Sequence, residues 1–378
     1  MRKLLMCALI LSLLPLCGCA ATMQPENQAF AASMSVDFAA DSGLLEIGIL
    51  IPVIAGASDG SGGNPDFLRH YAIADTFASC LSALQISMPF TLNLSQLKTI
   101  VISRQVAQSD LFAGLIQDMM LTNHLYNTSY LAISLGAARQ VLENSKPVGS
   151  GQLSTELDAA YEHYGQIGFV PLTRLGDMYY HMVSCYGEPF CMLIATADPD
   201  AERMSLPNGT LGKARPGKLP VESDSLNQHL GSALFKDGKM VGVLDGSLTR
   251  WARVISGEIK NFGYQSEGHA LRLMLRTAPG IDIDTSKSAP VIHIKLSLLP
   301  IPQRTMPDIA VLKSQIRAEI ENLFQHVRSL GVDPLHLGSI AAKRFATIAA
   351  FEEYNWPDCL RHATMELEIE ILSAYTFF

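Results

Sequence analysis

The apolar positions of this chain change period several times, and each change marks an element. Met34–Asp37 and Leu44–Ile51 carry alternating or continuous apolar character on either side of Ala40-Asp41-Ser42-Gly43, which predicts two strands joined by a turn. Ala55–Asp66 is rich in Gly, Ser and Asp and predicts a loop. Ile73–Leu84 takes helical spacing, with Asp75 or Thr76 placed to cap it. Leu97–Ile102 and Tyr130–Leu135 are short and rich in apolar or β-branched residues, and predict strands among helices over Asp110–Asn123 and Leu153–Glu162. A further helix over Leu172–Cys185 and a strand over Cys191–Ala195 follow. Alternating strand and helix indicate α/β layers.

Periodicity then stops. Asp198–Ser225 holds four prolines and three glycines with scattered charge, so a loop and the main domain boundary are placed there. Beyond it, Asp237-Gly238 separates two apolar runs within Ser232–Leu244, the signature of a tight hairpin. Ser247–Ser256 predicts a helix, and Ala270–Arg276, Val291–Leu299 and Met365–Leu372 predict strands of one mixed or antiparallel sheet. Ile309–Leu330 is the longest helical pattern. Its apolar residues Ile309, Leu312, Ile316, Ile320, Leu323, Phe324 and Val327 recur every three or four positions, giving one stripe to bury against a sheet or, alternatively, a partner helix. The expected fold class is α/β (α+β), an elongated multi-domain body of mixed sheets with packed helices. The division is 34–200 as an N-terminal α/β region of two domains, 201–227 as linker and 228–378 as the C-terminal α/β domain.

The chain's beginning has a separate logic. Met1-Arg2-Lys3 is a basic start, Leu4–Leu14 is apolar, and Leu16-Cys17-Gly18-Cys19-Ala20 closes the segment with small residues before a cysteine. That is the pattern of a lipoprotein signal over 1–18, with Cys19 as the first mature residue and the acylated one. The alternative is an ordinary secretory signal ending at Ala20-Ala21. The apolar core is too short to span a bilayer, whereas a diacylglycerol on Cys19 anchors stably because two acyl chains do. Residues 19–33 are small and polar and are expected to form a tether.

Composition narrows the function classes. The 378 residues are 48% hydrophobic and 17% charged, enough apolar material for a large core and too much for disorder. The formal net charge of -8 becomes -10 once Arg2 and Lys3 leave with the signal, so nucleic acid is not an expected partner, and membrane attachment rests on the lipid. Of the cysteines outside the signal, Cys80, Cys185, Cys191 and Cys359 allow three pairings. Cys185 and Cys191 are near enough in sequence to bridge, although free thiols are expected in a body this large. No zinc spacing is present.

Each stretch that invites a catalytic reading fails on spacing. Gly212–Lys218 has the G-x(4)-G-K frame of a phosphate loop, but Leu219 stands where Ser or Thr must ligate magnesium, and Pro216 removes an N–H from the cradle. Gly60–Gly63 is a flexible turn, not a nucleophile elbow. His163, His181, Tyr161, Tyr164, Tyr179 and Tyr180 form a region that either lines a pocket or decorates helix faces. Glu366, Glu368 and Glu370 alternate with Leu367, Ile369 and Ile371, reading as a half-buried strand with an acidic outer face, and Glu352-Glu353 is read as equally unspecialised. Trp251 and Trp356 are read as core packing. No catalytic residue, cofactor site or metal site is expected.

The order of these segments resembles the Ger(x)C family, the lipoprotein C subunits of spore germinant receptors. The lipidated cysteine comes first, and Met34–Asp37 with Leu45–Pro52 looks like the family's paired opening strands ending in proline. Leu97–Ala107 is similar to a segment in which Ser103 here replaces a glycine. Phe169–Leu175 followed by Gly187-Glu188-Pro189 fits the mid-chain pattern, and Ala233–Asp245 resembles the hairpin that opens the C-terminal domain. Gly331–Gly338, then Trp356 and an amphipathic last strand, is similar to the family's close. Ala20-Ala21 departs from a Trp-Asp often found after the cysteine, and Pro300-Ile301-Pro302 replaces acidic residues. The resemblance implies a non-enzymatic subunit in three mixed α/β domains, lipid-anchored outside the cytoplasm at the spore inner membrane. It also implies two integral membrane partners, the A- and B-type receptor subunits. Only Cys19 carries over with a defined role. The alternative is a lipid-anchored solute-binding protein of a transporter, which requires two similar lobes about a cleft.

Overall fold

The computed structural model describes residues 25–372 apart from 41, 53–66, 146–152, 198–210, 224, 288 and 303–304. The signal, Cys19 and the loop expected over Ala55–Asp66 lie outside the described residues. The chain enters the fold earlier than expected: Gln28–Phe30 (β1) is a strand, and Ala29, Ala31 and Ala32 are buried. The tether expected over 19–33 is therefore corrected from Gln28 onward, because residues small enough to look like a linker are also small enough to pack under a sheet.

Ser33–Phe38 (β2) and Leu45–Pro52 (β3) form the predicted antiparallel pair. Phe67–Ala74 (β4) adds the outer strand, and the helix expected from Ile73 starts at Phe77 (α1, Phe77–Ser87), where Thr76 accepts from Ser79 N–H as the cap. Thr91–Asn93 (β5) pairs with β1. Then come Thr99–Ser103 (β6), Arg104–Ala107 (α2), Phe112–Leu121 (α3), Tyr130–Ser134 (β7), Ala138–Glu143 (α4), Leu153–Ile167 (α5), Leu175–Val183 (α6) and Phe190–Thr196 (β8). The parallel strands β6, β7 and β8 alternate strictly. Ile100, Ile102, Leu131, Ile133, Cys191 and Leu193 face one core, while Val101, Ala132, Met192 and Ile194 face another. Such a sheet, covered on both faces, reads as a continuous apolar run.

The predicted hairpin forms as Asn227–Lys236 (β9) and Lys239–Leu244 (β10), and its hydrogen bonds carry it into this first sheet, which runs β10-β9-β8-β7-β6-β2-β3-β4. Burial on both faces explains the placement: Ala233 and Phe235 pack in the first core, and Leu234 on the opposite face packs with Leu244 in the C-terminal one.

All ten residues of Gly246–Ile255 (α7) are buried. A second sheet of Asn261–Ser266 (β11), His269–Leu275 (β12), Gly280–Asp284 (β13), Val291–Pro302 (β14) and Thr364–Ile371 (β15) follows, mixed because β15 lies parallel to β14. Ile309–Leu330 (α8) spans the predicted residues. Asp308 caps it by accepting from Ala310 and Val311 N–H, and Gly331 ends it at φ 64°. Its stripe is buried except at Ile309, and it packs on α7 and β15, so the single-sheet reading holds over the coiled-coil one. Leu337–Ala341 (α9), Ile348–Tyr354 (α10) and Trp356–His362 (α11) complete the fold. Among the described residues no helix is long and apolar enough to cross a membrane.

Candidate functional site

Three segments far apart in sequence meet where the first sheet joins the C-terminal core. Gly187–Pro189 leads into β8, Gly331–Gly338 leads into α9, and Trp356 begins α11. Asp333 sits at their centre, only 1% exposed. Its carboxylate accepts from Leu337 N–H at 3.0 Å, Gly338 N–H at 2.7 Å and the Trp356 indole N–H at 2.9 Å. A buried carboxylate is tolerated when its lone pairs are filled in this way. Burial nevertheless pushes its pKa upward, against those three donors.

Glu188 approaches the same turn. Its Oε2 accepts from Asp333 N–H at 2.6 Å, and its own N–H donates to Asp333 O at 3.2 Å. Burial and then the Asp333 carboxylate push the Glu188 carboxyl up to about 7. The chains lie this close because Gly187 has no side chain: a Cβ there, at φ 148°, would sit 3.0 Å from Asp333 O and His336 Cα. Gly338 is equally constrained, since a Cβ would sit 2.8 Å from both Trp356 Cδ1 and Tyr186 O.

His336 holds the left-handed conformation, φ 54°, just before α9, an uncommon position for a non-glycine residue. Its ring lies 3.8 Å, centroid to centroid, from that of His181 on α6. Burial, and then His336, pushes His181 down to about 4, and burial lowers His336 too, so both imidazoles are neutral at pH 7. His181 Nδ1 and His336 Nε2 are buried without a hydrogen-bond partner. Beside them is a cavity of about 200 Å³ lined by Thr173, Asp177, Phe190 and Glu258 among others. Among the described residues no group of three or more His, Cys, Asp or Glu is arranged to hold a metal. The arrangement locks a turn, fixes an interdomain contact and stores proton-sensitive groups there.

The remaining candidates disperse. Tyr161 and Tyr164 come together with His229 and Tyr130, not with His181, and line a mostly apolar cavity of about 550 Å³. The Tyr161 hydroxyl shares a hydrogen bond with Thr99 at 2.6 Å, and His229 is pushed down to about 4 by burial. His163 touches only the edge of this group, and Tyr180 is exposed. In the phosphate-loop look-alike, Leu211–Lys213 is a single 3-10 turn, with Gly212 against Ser247, not a cradle opening a helix. Glu366 and Glu368 form exposed rungs with His293 and Lys295, as an acidic outer face should. Both tryptophans are core residues, and each also donates its indole N–H, Trp251 to Glu319 and Trp356 to Asp333. Cys191 donates its thiol to Leu131 O at 3.0 Å in the first core, while Cys185 packs on the C-terminal core across the sheet, so the two do not meet.

Sequence reasoning singled out Gly187–Pro189, Gly331–Gly338 and Trp356 as separate pieces and missed Asp333 and His336 as centres. The available signal was a carboxylate set between Val332, Leu335 and Leu337, an apolar context in which an acidic side chain needs partners.

Similarity to known proteins follows the same division. Residues 22–196 match the family domain described as spore germination protein N-terminal domain, and residues 230–372 match spore germination B3/GerAC like, C-terminal. A solved structure titled "Crystal Structure of the GerBC protein" matches with a TM-score of 0.53 at 12% identity, covering 91% of this chain and 98% of that one, which shows a shared fold. Among curated proteins none matches. With both family domains in order along most of its length, and the Asp333 node stapling one to the other, the chain belongs to the GerAC-like spore germination protein family.

Proposed function

We propose that this protein is a lipid-anchored, non-catalytic subunit of a nutrient germinant receptor complex, required for spore germination. It is held at the outer face of the spore inner membrane through acylated Cys19 and assembled there with the A- and B-type integral membrane subunits. The family match over both halves carries the reading. The signal pattern supplies the anchor, and confinement at a membrane raises the effective concentration of the body for its partners. The buried chemistry supports a structural role, since Asp333 spends its oxygens on local N–H groups. The solute-binding alternative draws no support from the junction, where a wholly buried helix and the shared β9–β10 hairpin join the halves.

The test is Cys19→Ala in the spore. The expected result is a folded body lost from the membrane fraction, failure to co-purify with the two membrane subunits, and loss of nutrient germination. Normal germination by a protein that stays membrane-bound would overturn the anchoring claim.

A further inference from the structure

The corner where the chain enters the fold has an unusual surface. Between Asp75 and Lys98 none of the 22 residues is charged, in a protein that is 17% charged. Much of that stretch is exposed: Ala78, Ser82 and Ala83 on α1, then Ile86 at 86% and Phe90 at 45%. Solvent-facing helices ordinarily carry charge, and an isoleucine that exposed is unexplained by the body's own packing.

Strand β1 pairs in parallel with β5, with Gln28 opposite Thr91, so the incoming chain reaches the body beside Phe90. Cys19 is eight residues before Asn27. A segment that long spans at most about 30 Å, and less here because Pro25–Asn27 is wound into a 3-10 turn. A lipid on Cys19 therefore keeps this uncharged corner within about 30 Å of the membrane and makes it the part of the body first to meet the bilayer.

We propose that the α1–β5 corner is a membrane-contact surface, with Ile86 and Phe90 inserting at the headgroup boundary of the bilayer that holds the Cys19 lipid. This rests on the lipid-anchor reading above. Aromatic and aliphatic side chains flanked by hydroxyls suit that boundary, and the absence of charge avoids both desolvation and repulsion from anionic headgroups. The contact fixes the body's orientation, which the acyl chains alone leave free.

The test uses Ile86→Trp and Phe90→Trp in the full lipidated protein on phosphatidylcholine vesicles with brominated acyl chains. Native Trp251 and Trp356 are buried and contribute a constant background. Ile348→Trp, at a position 60% exposed in the C-terminal half, is the reference. The expected result is quenching at Ile86→Trp and Phe90→Trp at least about two-fold above that at Ile348→Trp. Equal quenching at all three positions, or none on vesicles that carry the protein, would overturn the proposal. So would a tryptophan at position 86 that stays unquenched by lipid but becomes shielded from iodide when the membrane subunits are added, which assigns the surface to a protein partner. If the protein does not float with vesicles, the anchor reading fails by itself. The same variants with a histidine tag in place of residues 1–19, on nickel-chelating brominated vesicles, then decide the contact independently.

Discussion

Glu188 and Asp333, separated by 145 residues, exchange two hydrogen bonds, Asp333 N–H to Glu188 Oε2 at 2.6 Å and Glu188 N–H to Asp333 O at 3.2 Å. This exchange brings the loop before β8 onto the turn after α8, and the Asp333 carboxylate then ties that turn to α9 and to Trp356. The two halves of the family's sequence are thereby joined at a point where the Asp333 carboxylate has its donors filled, while His181 Nδ1 and His336 Nε2 beside it are left without partners.

Replacing Asp333 by Ala is expected to leave three buried N–H donors without an acceptor, at a cost of about 3–5 kcal/mol. Asp333→Asn keeps one carbonyl oxygen for them and should lose less. Urea unfolding of both variants checks the order, and a loss below about 1 kcal/mol for Asp333→Ala would contradict the role assigned to the node.

The node also predicts a pH signature. The Glu188 carboxyl binds its proton more tightly folded, at about 7, than unfolded near 4.5, so its contribution is present at low pH and is lost as pH rises through 7. His181 has the opposite sign: its folded value of about 4 lies below 6.5, so its contribution is present above 6.5 and is lost as pH falls toward 4. The two slopes oppose each other between pH 4.5 and 6.5. Glu188→Gln removes one of them, and unfolding free energy should then rise more steeply across that window, by up to about 1.4 kcal/mol per pH unit. Denaturation at pH 5, 6 and 7 checks it, and identical pH profiles for the two proteins would remove Glu188 as the titrating group.

How much of this was readable in advance depended on period and length. The stripe of α8 repeats over 22 residues and was placed to the residue, and the strongly apolar strands β2, β3, β6, β7, β8 and β14 were found because both faces or one whole face are buried. Strand β4 was missed because Arg69, His70 and Tyr71 interrupt its alternation and Ile73-Ala74 runs on into the spacing of α1. Strand β13 was missed for lack of apolar content, since Gly-Ile-Asp-Ile-Asp buries only Ile283 well, and β11 was missed because Gly263 interrupts a run of only six residues, although Phe262 and Tyr264 alternate inward. The hairpin's local signal was unambiguous, but which sheet it joins is a tertiary fact, set by Ala233 and Phe235 fitting the first core. Asp333 was missed for a related reason: its apolar neighbours signal burial, but Asp before Pro reads as an exposed turn, and its three donors come from later in the chain.

Gly338 makes a steric prediction independent of charge. A methyl there meets Trp356 Cδ1 and Tyr186 O at 2.8 Å, and the carbonyl is backbone, so it cannot swing away. Gly338→Ala should destabilise by about 1–3 kcal/mol, the usual range for overpacking a core. Thermal unfolding compared with Gly114→Ala, where nothing lies within 4 Å of the added carbon, separates crowding from any general effect of the substitution.

Arg253 offers the sharpest contrast between partners of one side chain. It is 5% exposed, and its guanidinium donates through NH1 to Val170 O at 2.6 Å and Gly165 O at 3.2 Å, and through Nε to Glu258 at 2.9 Å. The Glu258 side chain is 42% exposed and returns to water when its partner is lost, whereas Val170, at 2% exposure, has a carbonyl with little water to replace the donor. Arg253→Met should therefore cost about 2–3 kcal/mol through the carbonyls, while Glu258→Gln should cost under about 1 kcal/mol, as a partly solvated ion pair does. Arg253→Lys keeps the charge without the planar fork and should fall nearer to Met than to wild type. A double-mutant cycle on Arg253 and Glu258 measures the pair directly, and a coupling as large as the whole Arg253→Met loss would show that the ion pair, not the carbonyl clamp, holds α7 to the first domain.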